Sequence, residues 1–148
     1  MSGIRAVIDT NVFVSGIISP KGSPYKVLNA ARKELFRVVT SFSINHEILN
    51  VIHREHIYTK YHLDEDILNG ITSFLYEGTV ITGEKIKVEH IKADPADDKF
   101  LSCAIEGEAD YIISGDVHLL TLKHYKGIQI VNAATFMQII TSQELDVT

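Results

Sequence analysis

Two acidic residues each stand just beyond a short apolar run. Asp9 follows Ala6-Val7-Ile8, and Asp116 follows Tyr111-Ile112-Ile113-Ser114-Gly115. An acid in that position makes a turn or caps a helix, and for either residue alone this is the ordinary role. Two such acids meeting at one edge of a sheet are a different matter, because like charges held close raise each other's pKa unless a cation intervenes. Glu47, early in an apolar-striped helix, and Asp97-Asp98, at the start of another, are placed to join them. Helix N-termini favour acids through the macrodipole, so each of these also has a bland explanation. Together they form an all-oxygen donor set, which suits Mg²⁺ or Mn²⁺ rather than zinc. Such ions polarise a phosphoryl oxygen and acidify water, which is what phosphodiester hydrolysis requires.

The elements that must position these acids alternate along the chain. Ile4 to Ile8 reads as a short buried strand, followed by a loop containing Gly16, Pro20 and Gly22. Ser23-Pro24 reads as an N-cap and first-turn proline opening a helix to about Leu35. Phe36 to Thr40 is a second strand, and Ile44, Ile48, Val51 and Ile52 mark a helical stripe. A helix is expected from Asp64 to Gly78, then a strand at Thr79 to Thr82 and a mixed polar stretch from Lys85 to Ile91. Pro95 precedes a helix closed by Gly107; Tyr111–Ser114 and Ile128–Val131 are strands, and Ala134–Ile140 is the last helix. Short apolar strands alternating with amphipathic helices predict an α/β domain with a mainly parallel sheet. In such sheets ligands bind beyond the strand carboxyl ends, where Asp9 and Asp116 stand.

Composition narrows the alternatives. The chain has 148 residues, expected to form one domain (residues 1–148), with 14 Lys plus Arg against 19 Asp plus Glu, a net charge of −5. That balance gives no support to a general polyanion binder. Without Asp9, Glu47, Asp97 and Asp116 it becomes 14 − 15 = −1, so bound ions could offset most of the net acidity. One cysteine, Cys103, excludes an internal disulfide and reads as a small core residue. No apolar run reaches membrane-spanning length, and Asp9 interrupts the N-terminus before a secretory signal develops, so a cytoplasmic protein is expected. Neither a P-loop nor a dinucleotide fingerprint is present.

The motifs Val7-Ile8-Asp9-Thr10-Asn11-Val12, Glu47-Ile48-Leu49, Asp94-Pro95-Ala96-Asp97-Asp98-Lys99-Phe100-Leu101 and Ala109-Asp110-Tyr111-Ile112-Ile113-Ser114-Gly115-Asp116 occur in the order seen in PIN domains. The chain resembles that family over nearly its whole length, and within it the VapC-like toxin ribonucleases of prokaryotic toxin–antitoxin systems. The resemblance implies a three-layer α/β/α sandwich with a mainly parallel central sheet. It also implies an acidic pocket for one or two Mg²⁺ or Mn²⁺ ions, endonucleolytic cleavage of RNA, an antitoxin protein as partner and a homodimer. Asp9, Glu47 and Asp116 match the first, second and fourth family acids. Ser114 matches a hydroxyl residue before the last acid, and Asn11 a polar residue beside the first. The third acid falls on one of two adjacent aspartates, and the family register counted back from Ala104 selects Asp97.

The facing angle agrees with that register. With Leu101 at 0° and about 100° per residue, Asp97 falls near −40°, roughly within the apolar stripe. Asp98 falls near +60°, roughly at its edge, as a helix-start charge or supporting group. Asp9, Glu47, Asp97 and Asp116 are thus expected to be catalytic and to hold the metal, supported by Asn11, Ser114 and Asp98. Lys21, Lys26, Arg32, Lys33 and Arg37 form the most basic stretch and, with Arg54, offer a phosphate-contacting face; a solvated helix face accounts for them equally well. His53, His56 and His62 read first as a polar helix end, and His118 as a residue packing the Leu119-Leu120 segment. A haloacid-dehalogenase-type phosphatase would require an acid two residues after Asp9, where Asn11 stands. A catalytically silent RNA- or antitoxin-binding protein on the same fold is the remaining alternative.

Overall fold

In the computed structural model, residues 3–88 and 95–147 are described; the end of the Lys85–Ile91 stretch and Asp94 fall outside them. The described residues form a six-stranded sheet of order β3-β2-β1-β4-β6-β5. The strands are β1 (Arg5–Ile8), β2 (Arg37–Ser41), β3 (Val80–Thr82), β4 (Tyr111–Ile113), β5 (His124–Tyr125) and β6 (Ile128–Val131). All pairings are parallel except the β5–β6 edge pair. Ala6, Val7 and Ile8 are buried at consecutive positions, as are Ile112 and Ile113. Consecutive burial means that both sheet faces are covered, the pattern of a sheet sandwiched between helical layers.

The helices are α1 (Thr10–Ile18), α2 (Ser23–Arg32), α3 (Phe42–Ile52), α4 (Glu55–Tyr58), α5 (Glu65–Glu77), α6 (Asp98–Glu106), α7 (Val117–Leu122) and α8 (Ala133–Val147). A 3₁₀ turn at Pro95–Asp97 leads into α6. α6 packs across β1, β2 and β4. α2 packs on α8, whose Phe136 meets Phe36 and Tyr111 edge-on, with ring centroids 4.8 and 5.6 Å apart.

Three sequence expectations are corrected. The segment after Asp9 is a helix rather than a loop. Val12, Val14 and Gly16 are poor helix formers, but packing of α1 on α2 and α3 overrides propensity. Gly16 is required there, because a Cβ would lie 2.6 Å from Leu28 Cδ1 and 2.8 Å from the Pro24 carbonyl. The cap of α2 is Gly22, at φ 99°, so Ser23 lies inside the helix and makes no side-chain cap; the helix ends at Arg32. α8 begins at Ala133 and continues past Ile140 to Val147. The short elements α4, α7 and β5 carry too few residues for a periodic signal.

From β1 the chain moves outward to β2 and β3, then returns to β4 on the other side of β1. The crevice between β1 and β4, beyond their carboxyl ends, is therefore the topological switch point. Gly107 closes α6 against this sheet: a Cβ there would overlap the Val39 Cγ1 methyl of β2 and approach Thr82 Cγ2 to 3.1 Å. Gly107→Ala is expected to cost about 1–3 kcal/mol through overpacking. Denaturant unfolding measures it, and a variant within about 0.5 kcal/mol of wild type would show that β2 yields freely.

Candidate active site

Asp9 and Asp116 meet at the switch point. Asp9 follows β1, and its amide extends the ladder to the Ile113 carbonyl at 3.0 Å. Its Oδ1 caps α1 by accepting from the Val12 amide at 2.8 Å. Its Oδ2 accepts from the Ser114 hydroxyl at 2.5 Å and the Gly115 amide at 3.3 Å. Asp116 donates its own amide to Ser114 Oγ at 2.9 Å, and its Oδ1 caps α7 through the His118 and Leu119 amides. Ser114 is fully buried and ties the two acids together. Both acids also perform the ordinary capping role, so the two readings coexist.

Asp9 is 3% exposed. Burial raises its pKa above the ordinary carboxylate value, bonds from Ser114, Val12 and Gly115 oppose the rise, and the Asp116 charge adds to it. A buried acid beside a second acid is a place where a cation would relieve both desolvation and repulsion.

Glu47 lies in the second turn of α3, whose Ser41 cap accepts from the Ile44 amide at 3.2 Å. Thr10 donates its hydroxyl to Glu47 Oε2, and Lys99 Nζ stands 2.5 Å from Oε1. Thr10 and Lys99 are absent from the sequence expectation. Proximity of Thr10 to Asp9 was the signal for the first, and a lysine in a helix's first turn the signal for the second. Asp97 is buried at the start of α6 without capping it, and Asp98 is half-buried. Among the described residues, no three acids, imidazoles or thiols stand close enough to share one ion. The all-oxygen donors and the buried Asp9 fit a hard divalent cation chemically.

Asn11 is exposed in the first turn of α1. Lys21, Lys26, Arg32, Lys33 and Arg37 are exposed before, along and after α2, and Arg54 is exposed beyond α3. His53 Nδ1 lies 2.7 Å from the Leu49 carbonyl, which is a helix-end contact. Cys103 is buried, which pushes its thiol up to about 12 and leaves it inert. Among the described residues, no helix is long and apolar enough to cross a membrane.

Residues 5–118 match the PIN domain family. The chain is also similar to an uncharacterized protein of Methanocaldococcus jannaschii. The two are 34% identical over 124 residues, which cover 81% of this chain and 76% of the relative.

Proposed function

The chain belongs to the PIN-domain family, and on that premise we propose that it is a Mg²⁺- or Mn²⁺-dependent endoribonuclease formed by one domain spanning residues 1–148. The family is one of nucleases that use divalent metals on nucleic acid. The observation that carries this reading is the Asp9–Ser114–Asp116 unit: two acids just beyond the carboxyl ends of adjacent parallel strands, one of them buried against the cost of its own charge.

Asp9, Asp116, Asp97 and Glu47 would hold one or two ions by drawing together on binding, since no three of them stand within reach of one ion beforehand. When bound, the ion supplies Lewis acidity to the scissile phosphate and the attacking water. Ser114 fixes Asp9 Oδ2 and the Asp116 backbone in one orientation. Asn11 and Asp98 would orient water or phosphate, and the exposed lysines and arginines of the α2 region and Arg54 would hold the RNA backbone. The products implied are 5′-phosphate and 3′-hydroxyl ends. The same reading carries a toxin role with an antitoxin protein, a cytoplasmic location and a homodimer. Light scattering tests the dimer.

Single-stranded RNA incubated with chelator, Mg²⁺, Mn²⁺ or Ca²⁺ tests the chemistry. Cleavage is expected with Mg²⁺ and Mn²⁺ only. An ion at 100 times its Kd stabilises the native state by about 2.7 kcal/mol, an expected rise of roughly 5–10 °C in melting temperature. Cleavage that survives chelator, or no thermal shift at millimolar ion, would overturn the proposal. Metal binding without cleavage would favour the silent binding protein.

A further inference from the structure

Lys99 stands where helix physics disfavours a cation. It is the second residue of α6, and the first turn of a helix attracts anions and repels cations. Asp97 and Asp98 obey that rule; Lys99 breaks it. Its ammonium turns across to α3 and pairs with Glu47 Oε1 at 2.5 Å, with side chains 27% and 37% exposed. Thr10, the residue after Asp9, takes the other Glu47 oxygen. Both oxygens of Glu47 are therefore engaged by the protein's own groups, one of them by a full positive charge.

We propose that Lys99 is the internal counter-ion of the acidic site, a positioning residue that holds Glu47 until a divalent cation displaces it. The inference rests on the metal-dependent reading above. A divalent ion recruiting Glu47 must displace Lys99 from Oε1 or share the carboxylate with it, and in either case must approach a neighbouring ammonium. Lys99 therefore sets the ion concentration at which the site assembles. A partly exposed ion pair holds weakly enough to be exchanged.

Calorimetric titration of the chelator-stripped protein with Mn²⁺, without RNA, tests this. Lys99→Met and Lys99→Gln are each expected to tighten Mn²⁺ binding about tenfold, and Lys99→Arg to stay within about twofold of wild type. Two neutral variants protect the test against one that folds poorly, and a melting curve for each checks folding. Unchanged or weaker binding in both neutral variants overturns the inference alone. No Mn²⁺ binding by wild type or any variant overturns the metal-dependent reading, and this inference with it.

Discussion

Asp9→Asn is expected to lower Mn²⁺-dependent RNA cleavage by at least about a hundredfold, and to abolish the Mn²⁺-induced thermal shift. The metal-free variant is expected to stay folded. Asparagine keeps an oxygen for the Val12 amide, preserving the α1 cap. Its NH₂ would face Ser114, whose hydroxyl can turn, and the Gly115 amide, whose bond at 3.3 Å is already long. That exchange costs about 1–3 kcal/mol, because it leaves buried donors unpaired. Against it stands the removal of a buried charge.

The pH dependence separates these two effects. An acid with a raised folded pKa keeps its proton in the native state at pH values where the unfolded chain has released it. The penalty for ionising Asp9 is absent below the ordinary value of 3.8, and it grows as pH rises from there to the raised native value. Wild type should therefore lose stability relative to Asp9→Asn across that window and then run parallel to it. Denaturant unfolding in chelator between about pH 4 and 8 measures the difference. A difference of opposite sign would mean that the Ser114 and backbone bonds outweigh desolvation, and Asp9 would need no ion.

Much of this site could be read from sequence because strand ends in parallel sheets are marked locally. The apolar runs Ala6–Ile8 and Tyr111–Ile113 stop at Asp9 and three residues before Asp116, and the α/β alternation carries both stops to one edge. α1 was illegible for the opposite reason: its valines and Gly16 argue against a helix, and only contact with α2 and α3 makes one. The Lys99–Glu47 pair was equally hidden, since the residues are 52 positions apart and meet only when α6 crosses toward α3. Gly22 as the α2 cap shows a smaller failure. A serine–proline start signal is genuine, but it does not fix which residue takes the φ of 99° at the boundary.

The adjacent aspartates at α6 separate ligand from bystander by two substitutions of the same kind. Asp97 retains 8% exposure, whereas Asp98, one position on, is half-buried in the first turn of the helix. A carboxylate kept on the buried side costs several kcal/mol unless a cation or donors compensate, and a bound ion would supply part of that compensation. Asp98 gains from the helix dipole, a contribution of about 0.3–1 kcal/mol. Asp97→Asn is accordingly expected to abolish Mn²⁺-dependent cleavage and the Mn²⁺ thermal shift. Asp98→Asn is expected to keep both the shift and at least about a third of the activity, with slightly lower stability in chelator. Measured side by side, loss of the shift in Asp98→Asn together with its survival in Asp97→Asn would assign the ion to Asp98. The inward angle of Asp97 would then reflect packing at the start of α6 alone.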